Sequence, residues 1–318
     1  MKYLIAICLI WPLLATAQSG SPSPAPSSSA AEVSRPARLI DRIQALGLPR
    51  STGTITAYYA VGYEAHANRL RVLIDSAMAF YSARLNVSAP LHLAVLTRAQ
   101  WNDLIPWQPY GIPGVAGNPA VIFMPATDDG LAAEDALSLR GRISPATHAR
   151  LEAAGVSFEY AARRYVDLVG LHELGHTYAR AYGIRLPSRW LDEWVATYFA
   201  YAFMVEREPA MANLWRAVLQ GYLDAVEPAY ASLADFDRLY FGVGAQTYVW
   251  YQAQFQRRVA AAYDVHGLAL LKVLQEEFGS PGVAPLDAAL VITRLEQRLP
   301  GFRAWADELQ AISARLKR

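Results

Sequence analysis

Short apolar runs predict a small sheet in the first part of the chain. Three runs of β-branched or alternating residues stand at 54–60, 91–96 and 120–124. Each has the length and composition typical of a strand. Between the first two runs, apolar residues recur at helical spacing, which predicts a helix over 66–85.

Beyond Asp129 the apolar positions follow a helical period almost throughout. The predicted helices span 157–182, 191–205, 210–226, 245–262, 268–278 and 286–299, with a last helix near the C-terminus. Boundaries between these helices are indicated by Gly183, Pro209 and Gly279. The pattern therefore predicts an α+β fold, in which a small N-terminal α/β part with a short mixed sheet precedes a mainly α-helical C-terminal part.

The N-terminus has the three parts of a secretory signal. Lys2 supplies the positive charge, residues 4–14 form the apolar stretch, and Ala15-Thr16-Ala17 is a small-residue cleavage site. We therefore expect residues 1–17 to be a cleaved signal peptide and the protein to be secreted or periplasmic. A membrane anchor is the less favoured alternative, because the stretch is shorter than the ~20 residues that span a bilayer and Pro12 interrupts it.

The composition predicts a linker and argues against two classes of partner. Residues 18–36 are rich in Ser, Pro and Ala, which bury too little apolar surface to fold, so we expect a flexible linker there. Residues 37–318 are then one domain, with an α/β part at 37–183 and a helical part at 184–318.

The 29 basic and 28 acidic residues nearly balance. This balance favours neither nucleic acid nor an anionic membrane as a partner.

The single cysteine gives a further exclusion. Cys8 lies inside the predicted signal, so the mature chain would contain no cysteine. Disulfide bonds and thiol catalysis are thereby excluded. Any catalysis must come from other groups.

A pair of histidines in the predicted helix 157–182 is the strongest chemical signal. The run His172-Glu173-Leu174-Gly175-His176 places two imidazoles on one helix face, about 6 Å apart along the axis. That spacing suits a tetrahedral zinc ion, and Glu173 is placed to take a proton from a water that the zinc has acidified. The alternative is three structural helix residues, but burying them in so apolar a helix is costly without partners.

A second helical run supplies a candidate third ligand. The residues Trp190-Leu191-Asp192-Glu193-Trp194-Val195-Ala196-Thr197-Tyr198 follow soon after the histidine pair. An antiparallel second helix would return an early carboxylate to the histidines, so Glu193 is the predicted ligand, with a surface carboxylate as the alternative. Thr197 lies one turn later on the same face and is a candidate for orienting a zinc ligand.

The two motifs in this order resemble those of the gluzincins, zinc peptidases of the peptidase MA-like family. In these enzymes a His-Glu-x-x-His helix is completed by a glutamate on a following helix. Residues 190–198 are similar to the Trp-Leu-x-Glu-Gly-x-Ala-x-Tyr pattern of aminopeptidase-like members, with Glu193 at the ligand position. The resemblance, detailed over 172–198, implies a zincin-like fold with the active-site helix between its two parts, and zinc as the metal.

The same resemblance implies a peptide or protein substrate that lies along an edge strand above the active-site helix. Residues 120–124 are the candidate edge strand, with an ordinary interior strand as the alternative. Two departures limit the comparison. Trp194 replaces a usual glycine, which either narrows the cleft or changes helix packing, and the Gly-x-Met-Glu-Asn segment that holds a substrate amine is absent. Exopeptidase specificity therefore does not carry over.

Hydrolysis also needs a group that stabilises the oxyanion. Gluzincins often use a Tyr or His from the later helical part, and residues 237–248 resemble the loop and helix that provide it. Tyr240 is the first candidate, Tyr248 the second and His266 a distant third. A packing role is the alternative for each tyrosine.

Together these patterns predict an exported zinc-dependent peptidase. His172, His176 and Glu193 would hold the metal, Glu173 would act as general base, and Tyr240 would stabilise the oxyanion. A non-catalytic, zinc-stabilised binding domain for peptide or cell-envelope partners is the alternative class, and the intact Glu173 favours the enzyme. Hydrolysis of a non-peptide amide would use the same site and stays open.

Overall fold

The computed structural model describes residues 38–280 and 285–318. The predicted signal peptide and linker, residues 1–36, lie outside the described residues. The described chain is a mixed α and β protein that is mostly helical, with a small mixed sheet in its N-terminal part. None of its helices has the length and apolar character needed to cross a membrane.

Five short strands form the sheet of the described residues. They are β1 (Arg50–Thr52), β2 (Thr56–Tyr59), β3 (Leu91–Leu96), β4 (Gly114–Ala116) and β5 (Ala120–Pro125). The order across the sheet is β1-β2-β3-β5-β4. Strands β2, β3 and β5 run parallel, and β1 and β4 pair antiparallel at the two edges. The three predicted strands are confirmed, whereas β1 and β4 have three residues each and are too short to give a pattern.

The described residues also form thirteen α-helices. In chain order they are α1 (Leu39–Ala45), α2 (Glu64–Leu85), α3 (Arg98–Leu104), α4 (Leu131–Leu137), α5 (Pro145–Ala153), α6 (Phe158–Ala181), α7 (Arg189–Arg207), α8 (Pro209–Ala225), α9 (Leu233–Leu239), α10 (Ala245–His266), α11 (Ala269–Phe278), α12 (Ala288–Arg298) and α13 (Phe302–Leu316). A 3₁₀ turn, Tyr240–Gly242, follows α9. Every predicted helix is present. The helices that were not predicted have seven to nine residues, too few for a clear period.

Strand β5 is an interior strand, so its prediction as the sheet edge was wrong. It pairs with β3 on one side and with β4 on the other. The interior position also explains why its sequence is apolar throughout, since both faces of an interior parallel strand are covered. The edge beside it is β4, which begins at Gly114.

Helices cover both faces of the sheet. Successive strand residues point to opposite faces, and Ile122 belongs to the large core shared with α2 and α6, whereas Phe123 belongs to a smaller core with α1 and α3. Helix α6 lies close to β5, because a Cβ added at Gly170 would collide with the side chain of Met124. The helix that carries the histidine pair is therefore anchored on the sheet.

Helix α7 passes through the middle of the helical part. Its side chains from Trp190 to Met204 are buried with the exception of Asp192, and it packs against α6, α8 and α10. The preceding α6 ends before Gly183, whose φ of +86° favours glycine and turns the chain back toward α7. The predicted helix stop at Gly183 is confirmed.

Candidate metal centre

Close contact between α6 and α7 brings the two sequence motifs together. A Cβ added at Gly175 would collide with the backbone of Ala196, so only glycine allows this approach. The two helices run antiparallel here, since His172 contacts Thr197 while the later His176 contacts Asp192. The predicted antiparallel arrangement is confirmed.

His172, His176 and Glu193 form one buried group. Their donor atoms all lie within 4.8 Å of one another. Oε2 of Glu193 is 3.1 Å from Nε2 of His172 and 3.9 Å from Nε2 of His176. Glu193 is only 1% exposed and each histidine 6%, so water does little to separate these groups. The arrangement can hold a metal ion.

The Nδ1 atoms of both histidines have partners on α7. Oγ1 of Thr197 lies 3.1 Å from Nδ1 of His172, and Oδ1 of Asp192 lies 3.2 Å from Nδ1 of His176. Asp192 can accept an N–H from Nδ1 of His176, and in the neutral imidazole this leaves Nε2 free to bind a metal ion. Nε2 of His172 and Oε2 of Glu193 face each other, and either a proton on the imidazole or a metal ion can lie between them. This donor set fits a metal ion, and Thr197 makes the contact predicted from the sequence.

Glu193 is held by three further side chains. Tyr240 donates to Oε1 at 2.6 Å, and Tyr248 and Gln252 donate to Oε2 at 2.9 and 2.7 Å. Burial by itself would raise the pKa of Glu193. Its contact with His172, the charges of both histidines and the hydrogen bond from Tyr240 outweigh burial and hold that pKa well below its usual range. These contacts therefore favour the charged form of the carboxylate, which is the form that can bind a metal ion.

The pKa of His176 is shifted in the opposite direction from that expected for a buried imidazole. Burial lowers it, but the charge and hydrogen bond of Asp192, with the charges of Glu193 and Glu173, raise it to about 9. The excess of negative charge around this imidazole is a second sign that the group is suited to a cation.

Glu173 lines a small cavity beside the metal-binding group. The cavity, of about 60 Å³, is bounded on its apolar side by Tyr165, Val169 and Trp215 and also reaches His172. Among the described residues no side chain or backbone N–H donates a hydrogen bond to the Glu173 carboxylate. Burial raises its pKa, against the lowering effect of the two histidines. A carboxylate so placed can accept a proton from a molecule in the cavity.

Both candidate tyrosines reach the site, in different positions. Tyr248 lines the cavity with Glu173. Tyr240 is buried and directs its hydroxyl to Oε1 of Glu193. His266 ends α10 fourteen residues beyond Gln252, about 21 Å further along the helix axis. His266 is therefore too far from the site to serve as the oxyanion group.

Trp194 does not narrow the cavity. It is fully buried and packs against Tyr198 and Phe302. Of the two effects that the sequence left open for this position, a role in helix packing is the one the structure supports. The side chain helps to join α7 to α13.

Asp192 and Gln252 are site residues that were missed in the sequence. Asp192 stands directly before the predicted ligand, but which histidine it meets depends on how α6 and α7 pack. Gln252 lies four residues after Tyr248 and thus on the same face of α10. That spacing is the one signal that could have indicated it.

Comparison with protein-family models, with curated proteins and with solved structures gives no match for this chain. The geometry of the metal centre and the two sequence motifs are therefore the basis for assigning a function.

Proposed function

We propose that the chain is an exported zinc-dependent peptidase of the gluzincin type with a zincin-like fold. One observation carries the proposal: a buried group of two histidines and a glutamate lies beside a cavity whose wall presents the free carboxylate of Glu173. The resemblance of residues 172–198 to gluzincin motifs points the same way. Export is inferred from the N-terminal signal pattern alone.

Zinc is the metal that the donor set favours. Two imidazole nitrogens and one carboxylate oxygen are a ligand set typical of catalytic zinc, which keeps one position open, whereas structural zinc takes four protein ligands. Asp192 is engaged with Nδ1 of His176, behind the ring relative to Glu193, where it orients a ligand. The described metal-binding group consists of three residues, which favours catalysis over a purely structural role.

The roles of the side chains follow from their positions. Zinc, when bound, supplies a Lewis acid that polarises a carbonyl group and acidifies water. Glu173 accepts the proton of the attacking water and passes it to the leaving amine. Tyr248 lines the cavity, and its hydroxyl turns from Oε2 of Glu193 to donate a hydrogen bond to the carbonyl oxygen as that oxygen becomes negative. Tyr240 remains on Oε1 of Glu193 and holds that ligand in place.

The position of the cavity is suited to an extended peptide. Ile112 and Pro113 line it and lead directly into the edge strand β4, whose free side can pair with a substrate backbone. The apolar wall of Tyr165, Val169 and Trp215 favours an apolar side chain next to the bond that is cut. We therefore propose peptide bonds rather than small polar amides as the substrate class.

The proposal is tested by digesting an unbiased peptide library with three samples of the same preparation: as purified, stripped of metal by a chelator, and reloaded with zinc. We expect cleavage in the first and third samples and none in the second. A protein that binds zinc but cuts no peptide before or after reloading would favour the non-catalytic binding domain.

A further inference from the structure

A second, larger cavity lies between α5, α6 and α8. Its volume is about 820 Å³, which is within the range of ligand-binding clefts. Leu151, Leu168 and Leu214 give it an apolar lining, and Arg150, Arg164 and Arg216 stand at its polar positions. We refer to it as the arginine groove.

The charge of the arginine groove is not balanced. None of the described residues that line it is acidic. Arg164 pairs with Asp167, but within the described residues neither Arg150 nor Arg216 has a carboxylate partner. Among the residues that the structure describes, Arg216 donates only to the neutral side-chain amide of Asn213. An apolar surface with two uncompensated guanidinium groups is complementary to a ligand that is both apolar and anionic.

The arginine groove is adjacent to the metal centre. Arg164, Leu168 and His172 are spaced by four residues and lie along one face of α6. On α8, Trp215 lines the small cavity beside the metal centre, and its neighbours Leu214 and Arg216 line the arginine groove. One helix pair therefore borders both sites.

We propose that the arginine groove binds a segment of the peptide substrate in which an acidic residue stands beside apolar residues. The position of this segment on the substrate rests on the proposed peptidase function. Arg164 is eight residues before His172, about 12 Å along the helix axis, which an extended peptide covers in about four residues. The part of the groove at Arg164 is therefore reached by a substrate residue about four positions from the bond that is cut.

Binding is measured separately from hydrolysis, with zinc-loaded, full-length Glu173→Gln protein and fluorescence anisotropy of labelled peptides. The test peptide carries a Leu-Glu-Leu segment, and two matched peptides replace its Glu by Gln or its Leu residues by Ser. We expect the test peptide to bind about tenfold or more tightly than either matched peptide, since it alone combines a charge-assisted hydrogen bond with apolar contact. Equal affinity for the test peptide and the Gln peptide would overturn the proposal.

Variants of the exposed arginines locate the binding. The double substitutions Arg150→Ala with Arg216→Ala, and Arg150→Gln with Arg216→Gln, should each remove the preference for the acidic peptide. The control pair Lys272→Ala with Arg318→Ala removes two exposed cations outside the groove and should preserve it. An unchanged preference in both arginine variants would overturn the proposal. The proposal would also be overturned if these arginines were needed for the binding of dodecanoate but not for the binding of the peptide.

Failure of the groove and failure of the peptidase function give different results. Peptide cleavage by the wild-type protein without arginine-dependent binding removes the groove proposal alone. Arginine-dependent binding without any cleavage supports the groove and removes the peptidase function.

Discussion

Gly175 packs directly against the backbone of Ala196, and this contact sets the spacing between the two helices that carry the candidate metal ligands. Glycine stands between the histidines of the motif, on the side of α6 that meets α7. The side chain of Glu193 reaches Nε2 of His172 because the helices approach this closely.

Substitution Gly175→Ala is therefore expected to weaken both the fold and the metal site. The added methyl group must push α7 away, which costs about 1–3 kcal/mol of unfolding free energy and moves Glu193 from the histidines. Urea unfolding and zinc titration measure the two effects. Gly141→Ala is the matched control, because its added methyl group meets nothing within 4 Å. Equal zinc affinity in the two variants would contradict this account.

Substitutions of the two tyrosines that contact Glu193 are expected to differ in their effects on kcat and on zinc affinity. Tyr248→Phe should keep zinc but lower kcat by about 10²–10³, because it removes the donor that the proposed mechanism assigns to the reacting carbonyl. Tyr240→Phe should weaken zinc binding about tenfold or more, with a much smaller effect on kcat when zinc is saturating. Metal content and steady-state kinetics on one peptide give both quantities. The reverse pattern would place Tyr240 at the oxyanion, as the sequence predicts.

Asp237 is expected to make the stability of the fold depend on pH. Its Oδ1 accepts a 2.9 Å hydrogen bond from the backbone N–H of Trp190 at the start of α7. Burial raises the pKa of Asp237 from 3.8 to about 6, despite the opposing hydrogen bonds from the backbone at Trp190 and Arg189. The folded state thus binds more protons than the unfolded state between these values, and this contribution to stability is lost as pH rises from about 4 to about 6.

Asp237→Asn keeps the acceptor oxygen and removes the titration. We expect the unfolding free energy of wild type, relative to that of Asp237→Asn, to fall by about 1–3 kcal/mol between pH 4 and pH 7. Urea unfolding at a series of pH values measures this difference. Asp307→Asn, a change at an exposed aspartate of α13, is the control for loss of one negative charge. Parallel curves for wild type and Asp237→Asn would rule out the assigned role.

Features with a local pattern could be predicted from the sequence. The strands at 91–96 and 120–124 and the long helices repeat their apolar period over enough residues to be recognised. The grouping of His172 and His176 follows from helix geometry alone. Adding Glu193 required only one assumption, that the next helix returns antiparallel.

What could not be predicted depends on packing between distant elements. That β5 is interior follows from β4, a strand of three residues that pairs beside it. The contact of Asp192 with His176 depends on the rotation of α7 against α6, and the contact of Gln252 with Glu193 joins residues 59 positions apart. The arginine groove likewise combines α5, α6 and α8, none of which indicates it alone.

The most direct test of a zinc peptidase is the substitution Glu173→Gln, which keeps the size of the side chain and removes the base. The zinc content of wild-type and variant protein is measured by mass spectrometry, and both are then assayed on the same peptide library. We expect about one zinc per chain in both proteins, and peptide cleavage by the wild type only. Equal cleavage by the zinc-loaded variant would contradict the role of Glu173 and with it the proposed mechanism.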